Sequence, residues 1–390
     1  MVLFALEAQT SGRKVLLMRS IGSILRLAFW CLVLWVVACS VPSQPNSKQF
    51  PQPQDPVNSR LHKIADVPSG PNTYNLYCVS TSVCWVGDSS KQWRTDDGGQ
   101  HWRLIYSSAS DRSQINTVDY VDMQVAWILT LQKLLKTEDG GRTWVEQPLP
   151  LPDYPSGDLR TIKFLKGGKI GWAGGGIYRP LTRDEERNGV PRNISDPPSH
   201  TVLRPAISYT EDGGKTWFPR SIPNEMGRIS GFTFLNEQQG LAFESSGSLY
   251  TTNGGKQWEY VDFKKSCTDE RYLEGYDMRA LEVFFLDSQN AWLTFEDGRM
   301  ARSIDGGRTW CDLLAPNAVK FDYYEKYFKK IHFTDSLHGL GLGANRLLYE
   351  TRDGGKTWNK AVDAQADDMF FLDNQTGWLV SKVGLFQIGL

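Results

Sequence analysis

The stretch TEDGGRTW, residues 137–144, decides the fold because it recurs. TDDGGQHW begins at Thr95, TEDGGKTW at Thr210, TTNGGKQW at Thr251, SIDGGRTW at Ser303 and TRDGGKTW at Thr351, at intervals of 42, 73, 41, 52 and 48 residues. Such a period is too long for most helical repeats and close to one four-stranded propeller blade. The octamer reads as a turn made by its own side chains. Asp97, Asp139, Asp212, Asp305 and Asp353 stand where a carboxylate accepts hydrogen bonds from N–H groups of its own turn. The glycine pair supplies positive φ, and the leading Thr or Ser ties the strand end to the turn. Trp102, Trp144, Trp217, Trp258, Trp310 and Trp358 then return into the sheet. Burying a Trp removes about 200 Å2 from water, roughly 5 kcal/mol before entropy is subtracted. Asn253 keeps the acceptor without the charge, which suits architecture and would ruin a catalytic carboxylate.

A second signature lies about ten residues before each turn. It is an apolar strand: CWVG at Cys84, AWIL at Ala126, GWAG at Gly171, GLAF at Gly240, AWLT at Ala291, GLGL at Gly339 and GWLV at Gly377. Another strand precedes it through a polar bend, as in IKFL (162–165), FTFL (232–235), VFFL (283–286), IHFT (331–334) and MFFL (369–372). Seven such units run from about Tyr74 to Leu390, and the seventh stops before its turn and last strand. The segment LHKIADV, 61–67, is the donor for that missing strand, which closes the ring and removes exposed edges. The expected fold is therefore all-β: a single seven-bladed β-propeller over 61–390, with six of the turns and an N-terminal closing strand. No helical period competes with the alternating strands.

Composition agrees, with 40% hydrophobic and 12% aromatic residues to fill a large core. A net charge of −1 argues against nucleic acid as a partner, which calls for a basic surface. Arg19 and Arg26 precede the apolar run LAFWCLVLWVVA (27–38), too short to span a bilayer comfortably and read as a secretory signal. VVAC (36–39) is similar to a bacterial lipoprotein signal, in which Cys39 becomes the lipidated first residue. Met18 would give a more compact signal, so residues 1–17 are a doubtful start. Residues 40–60, rich in Pro, Ser, Gln and Asn, are expected to be a disordered tether.

Four cysteines remain in the body, in a compartment that permits disulfides. Cys78 and Cys84 flank a bend between adjacent strands and are candidates for one bridge. Cys267 and Cys311 each follow a turn and are candidates for another; free core cysteines are the alternative.

The octamers resemble the Asp-box, or bacterial neuraminidase repeat, of sialidases, sortilins, some glucanases and certain photosynthetic assembly factors. The larger pattern F-x-D/N-x-x-x-G/A-W followed by the box, best seen in FLDSQNAW (285–292) and FLDNQTGW (371–378), resembles the photosystem II stability/assembly factor family of cyanobacteria and chloroplasts. The resemblance covers residues 61–390. It implies a non-enzymatic docking platform for membrane-protein assembly, without cofactor or metal. It also implies a photosystem II reaction-centre subunit as partner and an exported, lipid-anchored location on the periplasmic or thylakoid-lumen side. The alternative is a propeller that binds or cleaves carbohydrate at the cell envelope.

One unit departs from the pattern. Between Trp172 and Thr210 lie about 28 extra residues, 175–202, carrying Arg179, Arg183, Arg187 and Arg192 beside Asp184, Glu185 and Glu186. Long insertions tend to be functional or disordered, so these arginines are candidate partner contacts, with a solvated, variable loop as the alternative. Tyr323 and Tyr324, in the aromatic and basic run FDYYEKYFKK (321–330), are further candidates, with a linker packed under the disc edge as the alternative. An enzyme reading finds less. The Arg-Ile-Pro element of sialidases is absent, and Asp119, Asp122, Glu244, Glu296 and Asp297 lie near strand ends without a spacing that singles out a pair. The five histidines show no ligand spacing.

Overall fold

A computed structural model of the chain describes residues 61–68, 75–108, 114–150, 157–180, 183, 187, 201–223, 228–244, 247–263, 279–313 and 327–389. These residues form seven four-stranded antiparallel sheets arranged as the blades of a propeller. In the first blade, Asn75–Cys78, Cys84–Gly87, Lys91–Thr95 and Arg103–Ser107 pair in chain order from the axis outward. The innermost strands of the following blades are Ile115–Tyr120, Gly157–Phe164, Gly231–Phe234, Ala280–Phe285, Phe328–Phe333 and Asp368–Phe371. The last blade is completed from the other end of the chain: Leu61–Ala65 lies antiparallel to Gly384–Gly389, with Leu61 opposite Ile388. The signal and tether segments, Cys39 included, lie outside the described residues.

Each box closes as its composition dictates. In the second blade the Thr137 hydroxyl donates to Asp139 Oδ1 at 2.8 Å and accepts the Gly141 N–H at 2.9 Å. Asp139 Oδ1 also accepts the N–H groups of Arg142 and Thr143, both at 2.9 Å, and Oδ2 accepts the Thr143 hydroxyl at 2.6 Å. Gly140 and Gly141 have φ of 71° and 81°, which a β-carbon would strain. Asn253 makes the turn with one oxygen, accepting from Thr251 Oγ1 at 3.1 Å and the Gln257 N–H at 2.9 Å.

The two sequence signatures interlock between blades rather than within them. The second-strand Trp of one blade stacks on the aromatic residue that ends the next blade's inner strand. Trp85 meets Tyr120 at 4.8 Å, Trp127 meets Phe164 at 4.6 Å, Trp172 meets Phe234 at 3.7 Å and Trp292 meets Phe333 at 3.8 Å. The same Trp rings rest on the next box. A β-carbon on Gly214 would meet Trp127 at 2.5 Å, and one on Gly255 would meet Trp172 at 2.3 Å. The second box glycine therefore gives room to the neighbouring blade as well as turning the chain. The box Trp residues are less uniform than their motif: Trp258, Trp310 and Trp358 are buried, whereas Trp102, Trp144 and Trp217 keep part of their surface in water.

Cys78 and Cys84 are disulfide-bonded across the first bend. Cys311 is disulfide-bonded as well, while Cys267 lies outside the described residues. The 321–330 run divides: Phe328 is buried in the sixth inner strand, Lys329 is exposed and Lys330 lines the channel. Tyr323 and Tyr324 lie outside the described residues.

Candidate functional site

The first box glycine donates its N–H to the carbonyl of the inner bend of its own blade, as Gly140 does to Gln124 O at 2.9 Å and Gly354 to Leu337 O at 2.8 Å. Boxes and inner bends thus share one face of the disc. The opposite face carries the turns between second and third strands.

A channel of about 500 Å3 runs along the axis, lined by inner strands of all seven blades. Its walls hold four acidic or basic side chains, Asp119, Lys163, Glu282 and Lys330, with Asp368 buried against Lys330; sequence reasoning named or noticed Asp119 and Lys330. Three carboxylates act alike. Asp119 Oδ2 accepts the Phe164 N–H at 2.5 Å, Glu282 Oε2 the Ile331 N–H at 3.0 Å, and Asp368 Oδ2 the Leu76 N–H at 2.7 Å. Each clasps the inner strand of the next blade. The residue before each donor also faces the channel: Lys163, Lys330 and Asn75. Lys163 Nζ pairs with Asp119 at 2.7 Å and Lys330 Nζ with Asp368 at 3.0 Å.

Electrostatics follow from that placement. Burial disfavours the charge of Lys330, but Asp368 and Glu282 outweigh it and hold the ammonium above its usual range. Burial pushes the Glu282 carboxyl up to about 8, with Lys330 opposing and Asp368 adding to the rise. Glu282 is therefore mostly protonated at neutral pH and still accepts the Ile331 N–H. His332, stacked on Phe371 at 4.1 Å, is pushed down to about 4 by burial and stays neutral. Among the described residues no group of three or more His, Cys, Asp or Glu is arranged to hold a metal.

The acids considered for glycoside cleavage are not brought together. Asp119 is engaged in the channel, and Asp122 caps the second bend, accepting the Gln124 and Val125 N–H groups at 2.7 and 2.8 Å. Glu296 and Asp297 sit on the opposite face, paired with Arg279 at 3.4 Å and Arg299 at 2.7 Å. Glu244 is buried near that face. Clasping carboxylates whose lone pairs meet backbone N–H groups are built for holding strands.

The face opposite the boxes is distinctive at the third blade. Gly171–Pro180 and Thr201–Thr210 pair over ten residues, to Pro180 opposite Thr201. The corresponding strands elsewhere run four to six residues. Because Thr210 opens the box, the added length projects from the opposite face. Residues 175–180 and 201–202, expected to be insertion, are therefore strand: the excess begins as a lengthened hairpin. Arg183 and Arg187, beyond its end, are exposed. Arg160, near the start of the third inner strand, and Arg279, beside the fifth, are exposed toward the same face, with Arg204 and Arg228 half-buried nearby in sequence to it. Arg179 lies in the lengthened strand. Arg192 lies outside the described residues. Sequence reasoning missed Arg160, Arg204, Arg228 and Arg279 because no spacing joins them; what they share is the strand ends of one face.

A family model for the photosynthesis system II assembly factor YCF48 matches residues 317–387. The photosystem II assembly protein Ycf48 of Thermosynechococcus vestitus is 32% identical over 283 residues, 67% of this chain and 76% of that protein. The chloroplastic photosystem II stability/assembly factor HCF136 of Oryza sativa is 33% identical over 207 residues, 49% of this chain and 50% of its own length. A photosystem II assembly lipoprotein Ycf48 of a Synechococcus strain is 38% identical over 61 residues, 14% of this chain and 18% of that protein. The chain thus spans half or less of these last two relatives. Among solved structures, YCF48 bound to a D1 peptide superposes with a TM-score of 0.57 at 20% identity, over 85% of this chain and 97% of that one, a likeness of fold.

Proposed function

Because the chain belongs to the Ycf48 family of photosystem II assembly proteins, we propose that it is a non-enzymatic docking factor that engages a reaction-centre subunit of photosystem II during assembly. The lengthened hairpin carries this reading. Its strands run ten residues and extend past the usual blade length on the face opposite the boxes, and Arg183 and Arg187, which follow the first of them in the chain, are exposed. Guanidinium groups recognise carboxylates through paired, planar hydrogen bonds, which fits an acidic or carboxylate-ended segment of a partner. The fold relative that holds a D1 peptide supports a reaction-centre segment as that partner. Lipidation at Cys39 would keep the disc at the membrane where such subunits are inserted, on the periplasmic or lumenal side. A rigid ring suits the role, since a preformed surface loses little entropy on docking.

Capture of in-vitro-translated reaction-centre subunits by the immobilised full chain tests this directly. The wild type should retain them, and Arg183→Glu with Arg187→Glu should release them while the melting temperature stays put. Equal capture by both proteins would remove the hairpin from the contact.

A further inference from the structure

The inner strands build the channel in layers. Side chains alternate along a strand, so residues two apart face the same way. The residue before the last of each inner strand therefore joins one ring, just inside the box face. Asp119, Lys163 and Thr233 supply its polar side, from the second, third and fourth blades. Phe284, His332, Phe370 and Tyr77 follow from the fifth, sixth, seventh and first blades, four consecutive ring-bearing side chains. Phe284 meets His332 at 5.1 Å and Phe370 meets Tyr77 at 4.7 Å. In a ring of seven, the third blade stands across the axis from the sixth and seventh, so Lys163 faces this aromatic arc. We propose that the ring binds a small hydroxylated aromatic carboxylate, with its carboxylate on Lys163 and its aromatic body against the arc.

Three observations carry the assignment. The first is the sign of the accessible charge. In the Lys163–Asp119 pair the carboxylate side chain is 5% exposed and the ammonium side chain 38%. Asp119 turns its oxygens to Lys163 Nζ and the Phe164 N–H. An ammonium has three N–H donors, and Lys163 gives one of them to Asp119. A solute in the channel thus meets the cation of the pair. Glu282, largely protonated at neutral pH, does not cancel it. Lys330, one layer deeper, is engaged by both Asp368 oxygens and the Met369 carbonyl, which leaves Lys163 as the anchor.

The second is room and access. The channel of about 500 Å3 falls within the range of about 300–1,000 Å3 typical of ligand sites. It continues into a funnel of about 760 Å3 between the inner bends, and Tyr77, Tyr120, Lys163 and Phe370 line both. A ligand entering from the box face therefore meets Lys163 and the aromatic arc together. Flat rings suit such a wall, because aromatic pairs gain from offset and edge contacts beyond the area they bury.

The third is an unspent polar atom. His332 Nε2 is buried without a protein partner among the described residues. A neutral imidazole nitrogen donates or accepts according to its tautomer, and a ligand hydroxyl answers either. His332 stands across the axis from Lys163, so the carboxylate and the hydroxyl belong at opposite ends of the ligand. The site lies on the axis, away from the hairpin, and does not rest on the docking proposal.

Calorimetric titration of the full chain at neutral pH with three probes tests the assignment. 4-Hydroxybenzoate should bind. Acetate, which lacks the ring, should bind about tenfold more weakly or worse. Tyramine, with the ring and hydroxyl but the opposite charge, should not bind. Lys163→Met should weaken 4-hydroxybenzoate about tenfold. That change also strips Asp119 of its partner, so Phe370→Leu serves as a second variant. It leaves every charge in place and should weaken 4-hydroxybenzoate while acetate is unaffected. The His332 ring protons should shift in NMR spectra as 4-hydroxybenzoate saturates. Tyramine binding as tightly, affinity untouched by both variants, His332 signals unmoved at saturation, or no binding at millimolar 4-hydroxybenzoate would each overturn the proposal.

Discussion

The Asp368 carboxylate accepts the Leu76 N–H at 2.7 Å, joining inner strands 292 residues apart in the chain. It does so with Lys330 beside it at 3.0 Å. Asp119 and Glu282 repeat the arrangement at two other blade junctions. The ring is thus locked at its axis by side chain to backbone bonds, and at its outer circumference by the strand Leu61–Ala65. Replacing Asp368 by Ala leaves the Leu76 N–H without its acceptor and Lys330 with the Met369 carbonyl at 3.4 Å in place of its carboxylate. The expected loss is about 2–4 kcal/mol, toward the lower side for a buried pair because Lys330 keeps contact with channel water. Adding Lys330→Met should restore part of it. Denaturant unfolding of both variants checks the prediction, and equal stability of the double and single variants would contradict it.

Glu282 predicts a pH dependence of opposite sign to ordinary acid denaturation. Its carboxyl is raised from 4.5 to about 8, so the folded chain holds a proton that unfolding releases. Its contribution to stability is present at low pH and declines as pH rises from 4.5 toward 8. Glu282→Gln should flatten that decline and melt roughly 1–3 °C above wild type at the alkaline end. Coincident curves at pH 5 with separated curves at pH 8 are the signature to look for in scanning calorimetry.

The box carboxylates run the other way. Hydrogen bonds from the Thr216 hydroxyl and N–H hold Asp212 down to about 2 against 3.8 when free. That stability is present above 3.8 and lost as pH falls toward 2. Asp212→Asn copies the fourth box and should keep the fold with a shallower acid transition. Asp212→Ala should lower the melting temperature at pH 7 by more than Asn does. If Ala and Asn behave alike, the acceptor oxygen is not what closes the turn.

The Cys78–Cys84 bridge closes a loop of separation 6, and removing so short a crosslink is expected to cost about 2 kcal/mol. Cys78→Ser with Cys84→Ser should therefore melt earlier than the oxidised wild type, and the fully reduced protein, which also loses the Cys311 bridge, earlier than either. Both sulfurs are buried, so reduction should be slow in the folded state. Thermal melts with and without reductant separate these cases.

Much of this architecture was legible in the residues. The boxes, the apolar strands ahead of them and LHKIADV specify seven blades and their closure, because each device is local or periodic. The axis was not legible. Asp119 drew attention only as a strand-end acid, and Glu282 and Asp368 drew none. Their partners are backbone groups of the next blade, which no spacing encodes. The hairpin was seen as an insertion, but its strands were not, since the Gly174–Gly176 run lacks the alternation that marks a strand. The Phe164, Phe234 and Phe333 rings were visible as a repeated aromatic; that each serves the preceding blade's Trp required the ring itself.

The docking proposal meets its most direct test in the cell. Tagged full-length protein should be crosslinked mildly in a photosynthetic host that makes it, and the captured proteins identified by mass spectrometry. The account predicts recovery of photosystem II reaction-centre subunits or their precursors, lost when Arg183 and Arg187 are both changed to Glu. Recovery of envelope proteins or glycan alone, with reaction-centre subunits absent, would contradict it.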